Sequence, residues 1–316
     1  MRKETSVSWF VTPKGRMFMM GTAGFTTVAL FGLQFVPHTM GLNKYFDIVT
    51  MRRLGNPIPL TSNLEKLWNQ VLSDIKISDY HREILRPFMV FGYDSWHAGS
   101  LYSRFGALIG IPTNFVYEKV SSIDKDSIVV NDDPVDWTRK DAKELLNALI
   151  LSDEAKKYAV AREIMMVNNR FIYYEAAANG ILSFACYHSA SKWNETRGLL
   201  EKPFGIRAFF YVCFAAFYWG IWAMQRDALT RHYEFAADKK LSELGPEYVR
   251  GGLEFYDKTL QRNTALRSLL GERGNKLYTA MGNDHSFFRQ KHLPYTQRKY
   301  FFEDIVKQFH NSADKL

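Results

Sequence analysis

Residues 161–167 carry the spacing of a zinc-binding hydrolytic helix in which both ligand positions are replaced. In the HExxH motif, two histidines one helical turn apart bind zinc, and the glutamate beside the first histidine acts as general base. Glu163 stands at the glutamate position, whereas Arg162 and Met166 stand where the two histidines would be. Neither side chain completes the usual tetrahedral zinc site. The segment therefore keeps the base of a hydrolytic site and lacks its metal ligands.

Two later segments resemble the other site elements of integral-membrane zinc metallopeptidases of the HtpX and CAAX prenyl endopeptidase type. Residues 231–238 carry the pattern R-x-x-E-x-x-A-D, in which Glu234 matches the third zinc ligand and Asp238 the aspartate four residues on. His292 and Arg298 have the separation of the late T-H-P-x-x-x-x-R element, although the proline is displaced by one residue and the threonine is absent. An apolar hairpin separates the first segment from the second, as in those enzymes. The resemblance implies a peptidase-like fold.

The number of retained ligands distinguishes a peptidase from a protein that keeps only its fold. A catalytic zinc needs about three protein ligands and an open position for water, and only Glu234 remains of the three. Without the metal, nothing lowers the pKa of an attacking water toward about 7, so Glu163 has no useful proton to remove. His232 lies two residues from Glu234 and therefore on another face of the helix. We predict a non-enzymatic protein without metal or cofactor, in which Arg162 pairs with Glu234 or Asp238.

Each of these segments alone also fits an ordinary amphipathic helix or a structural histidine, and it is their joint order that favours a shared site. An active membrane protease with an unusual metal site is the alternative. The predicted vestigial site consists of Arg162, Glu163, Met166, Glu234, Asp238, His292 and Arg298.

The elements that would position these residues are mostly helical. Ser152 followed by two acidic residues is a typical start for the helix that bears Arg162. Between residues 106 and 130 the composition changes to glycine, proline and β-forming residues, which predicts a short strand pair from the segments 109–112, 115–117 and 128–130. The predicted fold class is mostly α and membrane-anchored, with a helical metallopeptidase-like core and a small β hairpin.

Apolar segments divide the chain into membrane and soluble parts. Residues 17–36 are 20 positions without a charge, enough to span a bilayer, and no cleavage site follows them. Residues 208–224 are also uncharged, whereas 171–190 contain Glu175, so a buried amphipathic hairpin competes with a membrane hairpin there. The predicted domains are a basic N-terminus 1–16, a transmembrane helix 17–36, a soluble lobe 43–170, a membrane hairpin 171–224 and a C-terminal lobe 227–316.

Several short segments look like the transmembrane protein 177 family, and they cover roughly residues 105–300. The segments are 135–137, 148–154, 161–163, 251–256 (GGLEFY), 265–271 (ALRSLLG), 276–278 (KLY) and 291–296 (KHLPYT). The resemblance implies an integral protein of the mitochondrial inner membrane. It also implies cytochrome c oxidase subunit 2 and the assembly chaperone of that subunit as partners. A lipid-binding or transport role is a further alternative, favoured by Glu175 and the aromatic-rich hairpin.

The net charge and the distribution of basic residues help to choose between nucleic acid and lipid as partners. The net charge is +8, but the basic residues do not cluster with aromatic ones, which argues against nucleic acid and leaves the lipid bilayer. A mean hydropathy of -0.25 argues against a polytopic transporter.

With three spans, residues 1–16 and the loop of the hairpin lie on one side, and since both are basic the positive-inside rule places them in the matrix. Two spans would separate the two soluble lobes.

Overall fold

Helices form most of the chain, as predicted. A computed structural model describes residues 9–130 and 133–313, so Arg2 and Lys3 of the predicted basic N-terminus lie outside the described residues. The helices are α1 (Pro13–Phe35), α2 (Leu42–Val49), α3 (Ser62–Asp74), α4 (Asp79–Ile84), α5 (Lys140–Leu149), α6 (Asp153–Val167), α7 (Phe171–Arg197), α8 (Phe204–Ser242), α9 (Pro246–Leu269), α10 (Glu272–Leu277) and α11 (Tyr295–Ala313).

The strands form three small sheets. They are β1 (Arg52–Arg53), β2 (Asn56–Pro57), β3 (Leu85–Val90), β4 (Trp96–Gly99), β5 (Ala107–Pro112), β6 (Val129–Val130) and β7 (Asp133–Pro134). The largest sheet has the order β3-β5-β4, with β3 parallel and β4 antiparallel to the central strand β5. The other two are two-stranded, β1 with β2 and β6 with β7. The prediction of a small β component is confirmed.

The predicted strand pairing, however, is wrong. The strand over residues 109–112 forms as part of β5, but its partners lie upstream in β3 and β4. Residues 113–116 form a 3-10 helix, and β6 pairs with β7 instead. All six residues of β5 are buried, so the strand shows no alternation that would identify a partner. The sequence also did not predict β3, because it contains Pro87. An edge strand tolerates proline, since one side of the strand has no ladder of backbone hydrogen bonds to a neighbour.

The chain divides into two compact units. The first, here called the apolar unit, contains the described residues up to Met40 together with Arg170–Leu229. The second, the core unit, contains the described residues of Gly41–Asn169 together with those from Thr230 onward. Helix α8 begins in the first unit and ends in the second.

The apolar unit contains the predicted membrane anchor. Two helices, Pro13–Phe35 and Phe204–Ser242, are long and apolar enough to cross a membrane by length and composition. The side chains of Phe25 and Leu33 on α1 are 76% and 72% exposed, which suits a helix surrounded by lipid. Helix α1 packs on α7, where Ser183 Oγ donates a hydrogen bond to Thr27 Oγ1 at 3.0 Å. Helix α7 is not one of the two candidate spans.

Helix α6 is the central element of the core unit. The Ser152 hydroxyl caps its first turn by accepting a hydrogen bond from the Ala155 amide at 3.2 Å, as the sequence predicted. Tyr158 and Ile164 are fully buried, and most of the other residues of the helix are buried as well. The helix contacts α3, α9 and the strands β4 and β5. Because neighbours surround it beyond its first turn, α6 has no solvent-facing stripe there and presents Arg162 and Glu163 to the protein interior.

Two adjacent glycines let α9 lie tightly against its neighbours. A Cβ at Gly251 would lie 2.3 Å from the carbonyl oxygen of Glu154 at the start of α6. A Cβ at Gly252 would lie 2.8 Å from the ring of Phe302 on α11. Helix α9 is therefore held between α6 and α11, and Tyr256, one turn after Gly252, points into the core with its side chain fully buried.

Candidate functional site

Six of the seven residues predicted for the vestigial site meet in one charge network inside the core unit, in which the carboxylates and arginines are largely buried and His292 is exposed. Helix α6 supplies one part of it, the C-terminal part of α8 a second, and the segment leading into α11 a third. Strand β4 and helix α9 complete it. The members of the charge network are His97, Tyr158, Arg162, Glu163, Glu234, Asp238, Tyr256, His292 and Arg298.

Arg162 lies between two carboxylates. Its Nη1 is 2.6 Å from Glu163 Oε1 and its Nη2 is 3.5 Å from Glu234 Oε1. The predicted contact between Arg162 and Glu234 is thus present. Burial by itself would lower the pKa of Arg162, but the two carboxylates outweigh it and the pKa is raised. A fixed guanidinium therefore stands beside both carboxylates.

Glu163 is almost fully buried and is held in its charged form. Its Oε2 accepts a hydrogen bond from His97 Nδ1 at 2.5 Å, while Oε1 faces Arg162. Burial would raise the pKa of Glu163, but the Arg162 guanidinium and the His97 hydrogen bond lower it to about 2. A carboxylate with so low a pKa is a poor proton acceptor near neutral pH.

Glu234 connects the two arginines of the charge network. One oxygen accepts from His292 Nδ1 at 2.8 Å and also lies 3.8 Å from Arg298 Nη1. The other oxygen accepts from the backbone amide of Leu293 at 2.8 Å. The Glu234 carboxylate thereby fastens the segment before α11 to α8.

Asp238 lies one helical turn after Glu234 and has the densest set of partners. Arg298 donates to it through Nε and Nη2 at 2.6 and 2.7 Å. The hydroxyls of Tyr158 and Tyr256 also donate to it, at 2.5 and 3.0 Å. Burial, followed by the Asp238 charge, raises the pKa of Tyr158 well above its usual value, so this hydroxyl stays protonated as a donor. Such a bidentate arginine pair within a satisfied set of hydrogen bonds fixes α8, α9 and α11 to α6.

Met166 is the one predicted residue that lies outside the charge network. It is partly buried against the apolar core of the core unit. It follows Arg162 by one helical turn, and its side chain packs against buried hydrophobic residues.

The donor set does not fit a zinc ion. Across the described ranges 9–130 and 133–313, no group of three or more His, Cys, Asp or Glu side chains could hold a metal. His97 and His292 each direct Nδ1 to a different carboxylate. A divalent cation placed between Glu163 and Glu234 would also meet the Arg162 guanidinium, whose positive charge repels it.

Three members of the charge network were not predicted from the sequence. Tyr158 precedes Arg162 by four residues on α6, so helical spacing alone could have indicated it. Tyr256 closes one of the segments that resemble the transmembrane protein 177 family. His97 belongs to β4, a strand that had not been predicted, and nothing in the sequence around it indicated a contact with Glu163.

The family model and the similar proteins found by comparison all point to the same family. The family model described as transmembrane protein 177 matches residues 89–293. Transmembrane protein 177 of Homo sapiens is 36% identical over 253 residues, which cover 78% of each chain. The Rattus norvegicus protein of the same name is 34% identical over 247 residues, again 78% of each chain. The Danio rerio protein is 28% identical over 308 residues, covering 92% of this chain and 93% of the relative. No solved structure matches the chain.

Proposed function

The chain belongs to the transmembrane protein 177 family, and on that premise we propose that it is a non-enzymatic assembly factor of the mitochondrial inner membrane. Its proposed role is to stabilise newly made cytochrome c oxidase subunit 2, together with the assembly chaperone of that subunit. Two helices able to cross a bilayer support an integral membrane protein. The partners and the compartment rest on the family resemblance.

The observation that carries the non-enzymatic part is the position of Arg162. Its guanidinium lies 2.6 Å from Glu163 and 3.5 Å from Glu234. Metal-assisted hydrolysis needs a metal-bound water beside a free general base. Here the carboxylate in the base position is already engaged by Arg162 and His97. Such an arrangement suits a rigid, charge-paired scaffold better than a hydrolytic site.

The proposed role is tested by following subunit 2 in cells that lack the protein. Pulse-labelled cytochrome c oxidase subunit 2 should disappear faster after its synthesis than in parental cells. Another mitochondrially translated protein serves as the control and should keep its lifetime. Re-expression of the full-length chain should restore the lifetime of subunit 2. An unchanged lifetime of subunit 2 in the deleted cells would contradict the proposal.

The absence of catalysis is tested in the same cells with the double variant Arg162→Met with Glu163→Gln. This change removes a cation and an anion together, so neither charge is left buried without its partner. Glu234 still contacts His292, Leu293 and Arg298. We expect the double variant, once it accumulates to the wild-type level, to restore the lifetime of subunit 2. Failure at that level would show that the charged side chains have a chemical role.

A further inference from the structure

The apolar unit carries an open cavity of about 610 Å³ between α1, α7 and α8. Its lining is made of uncharged side chains, with Thr26 and Leu30 from α1, Leu182 and Ser183 from α7, and Ala215 and Trp219 from α8 among them. The volume lies in the range of known ligand pockets, about 300–1,000 Å³. A cavity with such a lining holds hydrocarbon more favourably than water.

A second cavity of about 740 Å³ adjoins the first, and Met19, Cys186 and Tyr187 line both. Unlike the first, this cavity carries charges of both signs, from Arg16, Arg207, Glu195 and Glu201. Arg16 and Arg207 lie in the first turns of α1 and α8, and Glu195 in the last turn of α7. The charged cavity is therefore at the ends of the helices, where the headgroups of a bilayer begin.

Arg207 indicates what the charged cavity binds. Its Nε is buried and has no hydrogen-bond partner among the residues that the structure describes. The guanidinium carbon of Arg207 lies 6.0 Å from the centroid of the Phe204 ring. A buried guanidinium N–H without an acceptor is costly, and a phosphate oxygen is the acceptor that best matches its geometry.

We propose that the two cavities together bind one phospholipid with a zwitterionic headgroup. Arg207 and Arg16 contact the phosphate, and Glu195 and Glu201 face the amine of the headgroup. The acyl chains enter the uncharged cavity between α1, α7 and α8. The equal number of positive and negative side chains favours a headgroup that carries both charges over one that is only anionic. This site is independent of the role in subunit 2 assembly.

The headgroup contact is tested by native mass spectrometry of the full-length chain, purified in a mild detergent and supplied with defined lipids. Phosphatidylethanolamine or phosphatidylcholine should give one retained adduct per chain, in preference to phosphatidylglycerol. Arg207→Gln should lower the apparent affinity about 10-fold or more, since a hydrogen bond to a charged group is lost. Lys202→Gln is the matched control, because Lys202 lies five residues before Arg207, is exposed and does not line the cavity. Equal losses in the two variants, or a preference for phosphatidylglycerol, would overturn the headgroup assignment.

A second pair of variants tests the acyl-chain part of the site. Ala215→Phe places a large ring inside the uncharged cavity, whereas Ala216→Phe, at the next position on the same helix, lies outside both cavities. The first variant should lose the retained adduct and the second should keep it. Retention of the adduct by Ala215→Phe would overturn the proposal, and so would many weakly held lipids without one resistant adduct. Circular dichroism of both variants checks that the helices remain folded.

Discussion

Arg162 joins two buried carboxylates, those of Glu163 and Glu234, and either would be costly to bury alone. Arg298 does the same for Glu234 and Asp238. The charge network thus alternates acid and base along its length and ends in the hydroxyls of Tyr158 and Tyr256. At the residue scale, the guanidinium groups of Arg162 and Arg298 supply the positive charge that these buried carboxylates need.

Removing that cation should destabilise the core unit. Arg162→Met leaves two buried carboxylates with fewer partners, and the expected loss is about 3–5 kcal/mol in the free energy of unfolding. The double variant Arg162→Met with Glu163→Gln should lose less than the single variant, since the uncompensated charge beside Arg162 is also removed. Chemical unfolding in detergent micelles measures both. Arg250→Gln is the control, because its ion pair with Glu154 is exposed to solvent and should contribute little.

The same charge network should make stability fall in acid. The folded-state pKa of Glu163, about 2, lies below its ordinary value of 4.5, so folding favours the charged carboxylate. This contribution, about 3 kcal/mol, is complete above pH 4.5 and is lost as the pH falls toward 2. Unfolding free energies measured between pH 6 and about pH 3 should fall in the wild-type chain. In the Glu163→Gln variant, the unfolding free energy should depend less steeply on pH. The same pH dependence as in the wild-type chain would mean that folding does not hold Glu163 in its charged form.

At the residue scale, the sequence indicated which side chains share the site but not how they contact one another. The motif spacing predicted that Glu234, Asp238, His292 and Arg298 share one site with Glu163. Each motif can be recognised from local residue spacing, and the order of the motifs along the chain then indicates a shared site. The contacts between the motifs depend on the fold. His97 could not have been found, since its contact with Glu163 depends on a strand that no local pattern predicted.

At the scale of elements, the sandwich of α6, α9 and α11 explains why two glycines stand together on α9. Gly251 allows the backbone of α9 to approach the first turn of α6, and Gly252 makes room for Phe302. The helices themselves were predictable from caps and apolar spacing, as at Ser152. The depth of the contact between them was not, because close approach depends on which face of each helix meets which neighbour.

A methyl group at Gly251 should force α9 away from α6. Gly251→Ala places Cβ 2.3 Å from the backbone oxygen of Glu154, which cannot move as a side chain can. We expect a loss of about 1–3 kcal/mol in the free energy of unfolding, because overpacking strains the backbone. Gly220→Ala is the matched control, since this helical glycine has open space around it and alanine favours helix. Equal thermal midpoints for the two variants would contradict the close contact.

At the scale of the whole molecule, the core unit restricts the number of membrane crossings. It is built from the described residues of Gly41–Asn169 and from those after Thr230, which lie on either side of α7 and the apolar part of α8 in the chain. Both parts must lie on the same side of a membrane to form one unit, so residues 170–229 cross it twice or not at all. If α8 crosses, α7 crosses too. Its Glu175 is fully buried, 3.6 Å from Arg226 Nε, which lowers the cost of a carboxylate at membrane depth.

This topology predicts opposite locations for the two ends of the chain. At the proposed location in the mitochondrial inner membrane, and with α1, α7 and α8 all spanning, an N-terminal tag should lie in the matrix and a C-terminal tag in the intermembrane space. After rupture of the outer membrane, added protease should remove the C-terminal tag and leave the N-terminal one intact. Protection or loss of both tags together would rule out three spans. The sequence left the number of spans open because α7 carries Glu175, and hydropathy alone cannot show that this carboxylate is paired.

The most direct test of the central claim, that the core unit holds a charge network in place of a metal site, is the zinc content of the purified full-length chain. The chain in lipid nanodiscs is incubated with equimolar zinc, freed of excess by gel filtration, and assayed for metal and for cleavage of unfolded peptide substrates. We predict far less than one zinc per chain and no cleavage that depends on Glu163. One zinc per chain, together with cleavage that Glu163→Gln abolishes, would contradict the claim.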